Sequence, residues 1–192
     1  MAYHHGDLAR ALVEAGLEAT RTGGPDALTI RSATRAVGVS PNAAYRHFPD
    51  RLALLEAVSG AIQQRMADAM AMTDRGLGPH ERLRAVGLGY IAFALTEPGW
   101  FSVSFFGTGA PSGEKLAATP PFRALTTSLD LLVHSGALPA DRRGSAQWAC
   151  WSAVHGFAEL ALRGPLQAID RDELWSHAEA TVDAIIRGIC AG

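Results

Sequence analysis

Lysine is nearly missing from this 192-residue sequence, where Lys115 stands alone among 17 basic residues. Cysteine is scarce too. Cys150 and Cys190 are too few for a disulfide framework or a cysteine-based zinc site. Both fall in apolar helical patterns, as buried thiols of a reducing compartment do. No run approaches the roughly 18 unbroken apolar residues of a membrane-spanning helix. The opening from Met1 to Asp7 is polar and carries an acid, unlike a secretory leader. Alternating apolar and polar runs of strand type are also lacking. What remains is 48% hydrophobic and 19% charged, the balance of a globular chain with a real core.

The net charge of −2 conceals an asymmetry. Between Leu28 and Arg51 there are four arginines (31, 35, 46 and 51) against one acid, Asp50, which leaves that segment at +3 and the rest at −5. A local basic segment on an acidic body suits an anionic partner such as a phosphate backbone.

The chain reads as helices punctuated by Gly and Pro. Leu8, Ala11, Leu12, Ala15 and Ala19 recur at helical spacing until Gly23-Gly24-Pro25. Thr29 is a natural N-cap for a short helix with Ile30, Ala33 and Val37 on one face. Gly38 breaks it, and Ser40 is placed to cap the next, with Pro41 at its first position. Asp50 then caps a long helix carrying Leu55, Val58, Ile62, Met66 and Ala69. Further helices are expected near residues 83–96, 100–106, 121–135, 141–163 and 170–190. The predicted fold class is all-α, about nine helices, with the first three forming a compact head over residues 1–52 and the rest a larger body over residues 53–192.

Two short helices around Val37-Gly38-Val39-Ser40 are the frame of a helix-turn-helix. Arg31 and Arg35 lie four apart, a repulsive spacing unless an anion is near. Asn42, Tyr45, Arg46 and His47 add donors on the next helix. Arg and Asn suit guanine and adenine edges, whereas Tyr, Thr and His more often hold phosphates. The whole stretch, LTIRSATRAVGVSPNAAYRHFPDRLALL, resembles the DNA-binding domain of the TetR family over roughly residues 8–56. The resemblance rests on Thr29-x-Arg31, Gly38-Val39-Ser40, Tyr45-Arg46-His47-Phe48, Asp50-Arg51 and Leu54-Leu55. It implies that the helix starting near Ser40 enters the major groove. Thr29, Tyr45, His47 and Arg51 would then hold phosphates, with Arg31, Pro41, Asn42, Ala43 and Arg46 near base edges. Departures are Ala33-Thr34 where the family commonly has Ile-Ala, and Arg51 where it has Lys. Thr34 puts a hydroxyl at a usually packed position.

In the body, Trp151-x-x-x-His155-Gly156 and the opening Tyr3-His4-His5-Gly6-Asp7-Leu8 resemble the WHG subgroup of TetR-type regulators. The wide, mostly apolar face Leu174, Ala178, Thr181, Val182, Ile185, Ile186 and Ile189, together with the helix before it, is more apolar surface than a lone body needs. A homodimer through the last two helices is therefore expected, reading a palindromic site in double-stranded DNA. Trp100, Phe101, Phe105 and Phe122, with Trp151, His155 and Thr96 as further contacts, are candidates to line a pocket for a small apolar or aromatic effector. Plain core packing is the competing reading for each of them.

The GTGAPSGEK stretch lacks the Gly-Lys-Ser/Thr ending of a phosphate loop and follows no strand. His4-His5 has no third ligand at recognisable spacing, and no nucleophile elbow is present. No metal, cofactor or enzymatic activity is expected. The resemblance implies a ligand-released repressor of the bacterial cytoplasm; a small-molecule sequestering protein whose head no longer binds DNA is the alternative.

Overall fold

The computed structural model describes residues 5–71, 76–107 and 113–191, with side chains from Leu8 onward. The Tyr3–Asp7 motif, the His4-His5 pair and most of the GTGAPSGEK stretch lie outside the described side chains. Ten α-helices and three short 3-10 turns make up the described residues, with no strand among them. They fall into two compact units, residues 1–64 with 97–114, and residues 65–96 with 115–192.

The first unit contains α1 (His5–Gly23), α2 (Ile30–Val37), α3 (Pro41–Tyr45), the first part of α4 (Arg51–Ala71), and α6 (Pro98–Phe106). Leu8, Leu12, Gly16 and Thr20 are buried at every fourth position, so α1 turns one continuous stripe inward. A Cβ on Gly16 of this helix would meet Val58 and Leu28, and Leu28, Leu54, Leu55, Val58 and Ile62 are fully buried in the same unit. Burying each such side chain contributes about 1.5–3 kcal/mol.

The expected caps are partly as drawn. Thr29 Oγ1 accepts from Ser32 N at 2.9 Å while Ser32 Oγ accepts from Thr29 N at 2.9 Å, a reciprocal capping box at the start of α2. Asp50 Oδ1 accepts from Ala53 N at 2.8 Å. Ser40 is different: it stands at the N-cap of α3, but its hydroxyl makes no capping bond. With Pro41 at the first position, one of the orphan N–H groups is already absent. Gly38 takes φ 78°, ψ 32° between the two helices, where a side chain would be strained. Thr34 is 2% exposed, and its hydroxyl donates to Ile30 O at 2.9 Å, so the unusual polar residue is satisfied within its own helix.

The packing places α6 with the N-terminal helices, outside the 1–52 boundary expected from sequence. Trp100 Nε1 donates to Leu17 O at 2.8 Å, and the tilted rings of Phe101 and Phe105 lie 5.0 Å apart in the same core. A Cβ on Gly99 would stand 2.2 Å from Arg21 O and 2.5 Å from Thr20 O, so only glycine permits this approach of α6 to α1. Arg21 closes the contact with bonds of 2.7 and 2.5 Å to Glu97, which hold its guanidinium above the usual range.

The second unit contains the end of α4, α5 (Pro79–Thr96), α8 (Pro120–His134), α9 (Arg143–Arg163) and α10 (Arg171–Cys190). The short α7 (Gly113–Ala117) precedes α8. Helix α5 packs on α8, α9 and α10. Arg84 ties it to α10 through Asp183 at 2.7 Å and Glu179 at 3.3 Å. Asp170 caps α10 through Asp172 N.

Candidate nucleic-acid interface and effector cavity

Helix α3 has five residues and a single buried one, Ala44, at 0% exposure. Anchored at that point, it turns Pro41, Asn42, Tyr45 and Arg46 outward, with Ala43 and His47 partly covered. Tyr45 is 51% exposed, unusual for so large a ring. On α2, Ile30, Ala33 and Thr34 are buried while Arg31 and Arg35 are exposed. Neither they nor Arg46 forms an ion pair with any described residue.

Thr29 performs the capping expected of it, and Arg51 has a local duty that the sequence did not reveal. The Thr29 hydroxyl is engaged in the capping box. Arg51 donates to Leu28 O at 2.7 Å and Pro25 O at 2.5 Å, bracing the chain that leads into α2.

The expected effector residues divide between the units. Trp100, Phe101 and Phe105 belong to the core of the first. Phe122, Trp151 and His155 belong to the second, where Trp151 is the centre of a ring cluster. Phe122 lies 5.2 Å from it, Tyr90 meets it edge-on at 5.2 Å, and His155 stacks on it at 5.8 Å. Thr96 lies elsewhere, in an open groove of about 620 Å³ with Leu95, Leu174 and Trp175, its hydroxyl donating to Ala92 O.

A separate, half-open apolar pocket lies among α5, α8, α9 and α10, with Met70 from the end of α4 in its wall. Its free volume is about 20 Å³, room for about one water. Tyr90, Trp151, Cys150, Val154 and Val182 are in the wall. Tyr90, missed in the sequence, is 1% exposed and bonded through its hydroxyl to His155 Nδ1 at 2.8 Å. Burial raises the phenol well above its ordinary range, and Glu159 adds to the effect. Burial lowers His155, against the opposing pull of Glu159. Burial also pushes the Cys150 thiol up to about 12. The overlooked signal is Leu83, Val86 and Tyr90 at i, i+3 and i+7, beside Gly87 and Gly89. A Cβ at Gly87 would stand 3.3 Å from Val182, and one at Gly89 3.1 Å from Met70 Cα.

The apolar stripe of α10 is turned inward. Ala178, Val182, Ile186 and Ile189 are buried within the chain itself, while Leu174 and Ile185 of the same expected face are half-buried. Outside remain Ala180, Ala184 and Gly188 on α10, with Trp148 at 49% and Leu160 at 46% exposure on α9. No described helix is long and apolar enough to cross a membrane.

Comparison with known proteins agrees with this arrangement. A family profile described as Tetracyclin repressor-like, C-terminal domain, matches residues 83–183, and one described as Bacterial regulatory proteins, tetR family, matches residues 12–58. The first names the tetracycline-repressor type and not the narrower WHG subgroup. No curated protein matches the chain. Among solved structures, a protein of unknown function from Rhodococcus sp. RHA1 is 27% identical, with TM-score 0.71 over 99% of both chains. A TetR transcriptional regulator from Streptomyces coelicolor is 25% identical, with TM-score 0.56 over 95% of this chain and 98% of its own. A TetR variant from Acinetobacter baumannii AYE in complex with minocycline shares the fold, at 20% identity and TM-score 0.65 over 97% of this chain and 96% of its own. The C-terminal match alone spans more than half of the sequence, and with the helix-turn-helix match it makes the chain a member of the TetR family of transcriptional regulators.

Proposed function

We propose that the protein is a homodimeric repressor that binds a palindromic operator and is released by a small apolar or aromatic effector. The observation that carries this reading is the set of exposed, ion-pair-free arginines on a fully packed helix-turn-helix: Arg31, Arg35 and Arg46. In it, Arg31, Pro41, Asn42, Ala43 and Arg46 face base edges. Ser40, Tyr45 and His47 lie along the phosphates, with Thr29 and Arg51 fixing the entry to α2 and offering their remaining donors to the backbone. Trp148, Leu160 and the small face of α10 meet a second copy.

The effector lies in the cavity walled by Tyr90 and Trp151. Its one-water volume means that a ligand must displace side chains, and Met70 is one of them. Met70 sits on the helix that begins at Arg51, directly after the recognition segment. Filling the cavity therefore acts on α4, with a coupling of roughly 1–3 kcal/mol between ligand and operator. The minocycline-bound neighbour supports small-molecule binding by a fold of this kind. With Thr34 satisfied and Ala33 packed, nothing in the head favours a protein that has lost DNA binding.

Affinity capture of fragmented host genomic DNA, with an Arg31→Ala/Tyr45→Phe variant alongside, tests the reading. Enrichment of a few palindromic sites by the parent protein alone is the expected result. Equal recovery by both proteins would remove the operator assignment.

A further inference from the structure

The open groove at the end of α5 and the start of α10 has a free volume of about 620 Å³, in the range of small-molecule sites. Ala92, Leu95, Ile169, Leu174 and Trp175 make its apolar wall, and the chain leaves each of them half-exposed. A concave wall with an indole and two leucines, carrying a few polar groups, is the usual make-up of a site for a small ligand.

The charged groups of the groove are one of each sign, Arg171 and Asp172, both exposed. Neither forms an ion pair with a described residue. Nor do they serve each other, because successive helix residues point about 100° apart and only positions three or four apart meet. Those positions hold Leu174 and Trp175 for Arg171, and Trp175 and Ser176 for Asp172. The helix start needs no ligand of its own. Asp170 Oδ1 accepts from Asp172 N at 2.9 Å, and Asp170 O accepts from Leu174 N at 2.8 Å. A carboxylate alone would meet Asp172, with Asp170 and Glu173 beside it in sequence, and an amine alone would meet Arg171. A molecule that complements both charges carries both signs on an apolar body.

We propose that this groove binds α-amino acids with an apolar or aromatic side chain. The carboxylate meets Arg171, the ammonium meets Asp172, and the side chain lies on Leu95, Leu174 and Trp175. The groove shares no residue with the pocket walled by Tyr90 and Trp151, so it is a second site whatever that pocket takes.

Calorimetric titration of the intact protein with L-phenylalanine, 2-phenylethylamine and 3-phenylpropanoate tests it. Phenylalanine should bind at least about threefold more tightly than either singly charged probe, the value of one solvent-screened ion pair. Arg171→Gln should bring phenylalanine and the amine to equal affinity without weakening the amine. Asp172→Asn should bring phenylalanine and the carboxylate to equal affinity without weakening the carboxylate. Loosening of the groove would weaken all three probes alike and does not produce this reciprocal pattern. Equal or reversed affinities in the parent protein would overturn the proposal, as would binding of none of the three. A preference for phenylalanine that survives both substitutions would overturn it too, because the amino acid would then sit elsewhere.

Discussion

Arginine is used in two ways in this molecule. In the second unit Arg84 holds Asp183 and Glu179, Arg143 holds Asp130 and Gln147, and Arg142 bonds the last carbonyls of α10. In the segment from Leu28 to Arg51, Arg31, Arg35 and Arg46 hold nothing among the described residues. The one acid there, Asp50, is committed to capping α4. Lone arginines occur in the second unit too, but scattered over α8 and α10 in the unit that carries most of the acids. Concentrated cations that repel one another and have no internal partner stabilise nothing in the folded chain, and their use lies in an external anion.

The sharpest test of how the first unit holds together without those arginines is Gly99→Ala. The new Cβ would meet the backbone oxygens of Arg21 and Thr20, which cannot rotate aside. Overpacking of this kind typically costs about 1–3 kcal/mol, and more where backbone must shift. Denaturant unfolding should show a clear loss of stability, whereas Gly60→Ala, which meets open space, should be neutral or slightly stabilising. Equal behaviour of the two variants would mean that α6 does not pack on α1 so closely.

The next largest effect contrasts the two kinds of arginine directly. Arg46→Ala should leave unfolding unchanged and weaken operator binding by roughly 1–3 kcal/mol, more on specific than on random DNA. Arg84→Ala should do the reverse, leaving operator contacts intact. Its pair is 38% exposed on the arginine side, so solvent screening limits the stability loss to about 1 kcal/mol or less. Loss of stability from Arg46→Ala, or equal loss on specific and random DNA, would break the distinction.

The head was legible because its rules are local. Gly38, Thr29 and Asp50 act within four residues of themselves, and spacing alone exposes Arg31 and Arg46 once Ala33 and Ala44 turn inward. Capping by the Ser40 hydroxyl fails where the Ala43 N–H it would serve is taken by the Ser40 carbonyl at 3.0 Å. The body was less legible because its site is assembled from α5, α8, α9 and α10, and no spacing in one helix reports what the others bring. The aromatics of α6 looked like a pocket because they cluster in sequence. Their partners, Leu17 and Arg21, lie about 80 residues earlier. Tyr90 is one ring in an apolar helix, and only the glycines beside it, Gly87 and Gly89, mark a close approach of other helices there. The stripe of α10 was correctly apolar, but periodicity does not say whether a face is covered by its own chain or by a second copy.

The smallest expected effect concerns His155, whose neutral form the fold favours. Burial lowers its affinity for protons below that of the unfolded chain, where an imidazole titrates near pH 6.5. The sign follows from proton counting. Below pH 6.5 the unfolded state takes up a proton that the folded state resists, so stability falls as pH falls through that window and levels once the folded imidazole also protonates. Tyr90 from α5 and Glu159 and Arg163 from α9 surround the ring, and Glu159 works against the shift, which keeps the slope shallow. Unfolding free energies measured stepwise downward from pH 7 should show this decline in the parent protein and not in His155→Gln, which stays neutral throughout. An identical slope in both would mean that the imidazole is not held neutral by burial.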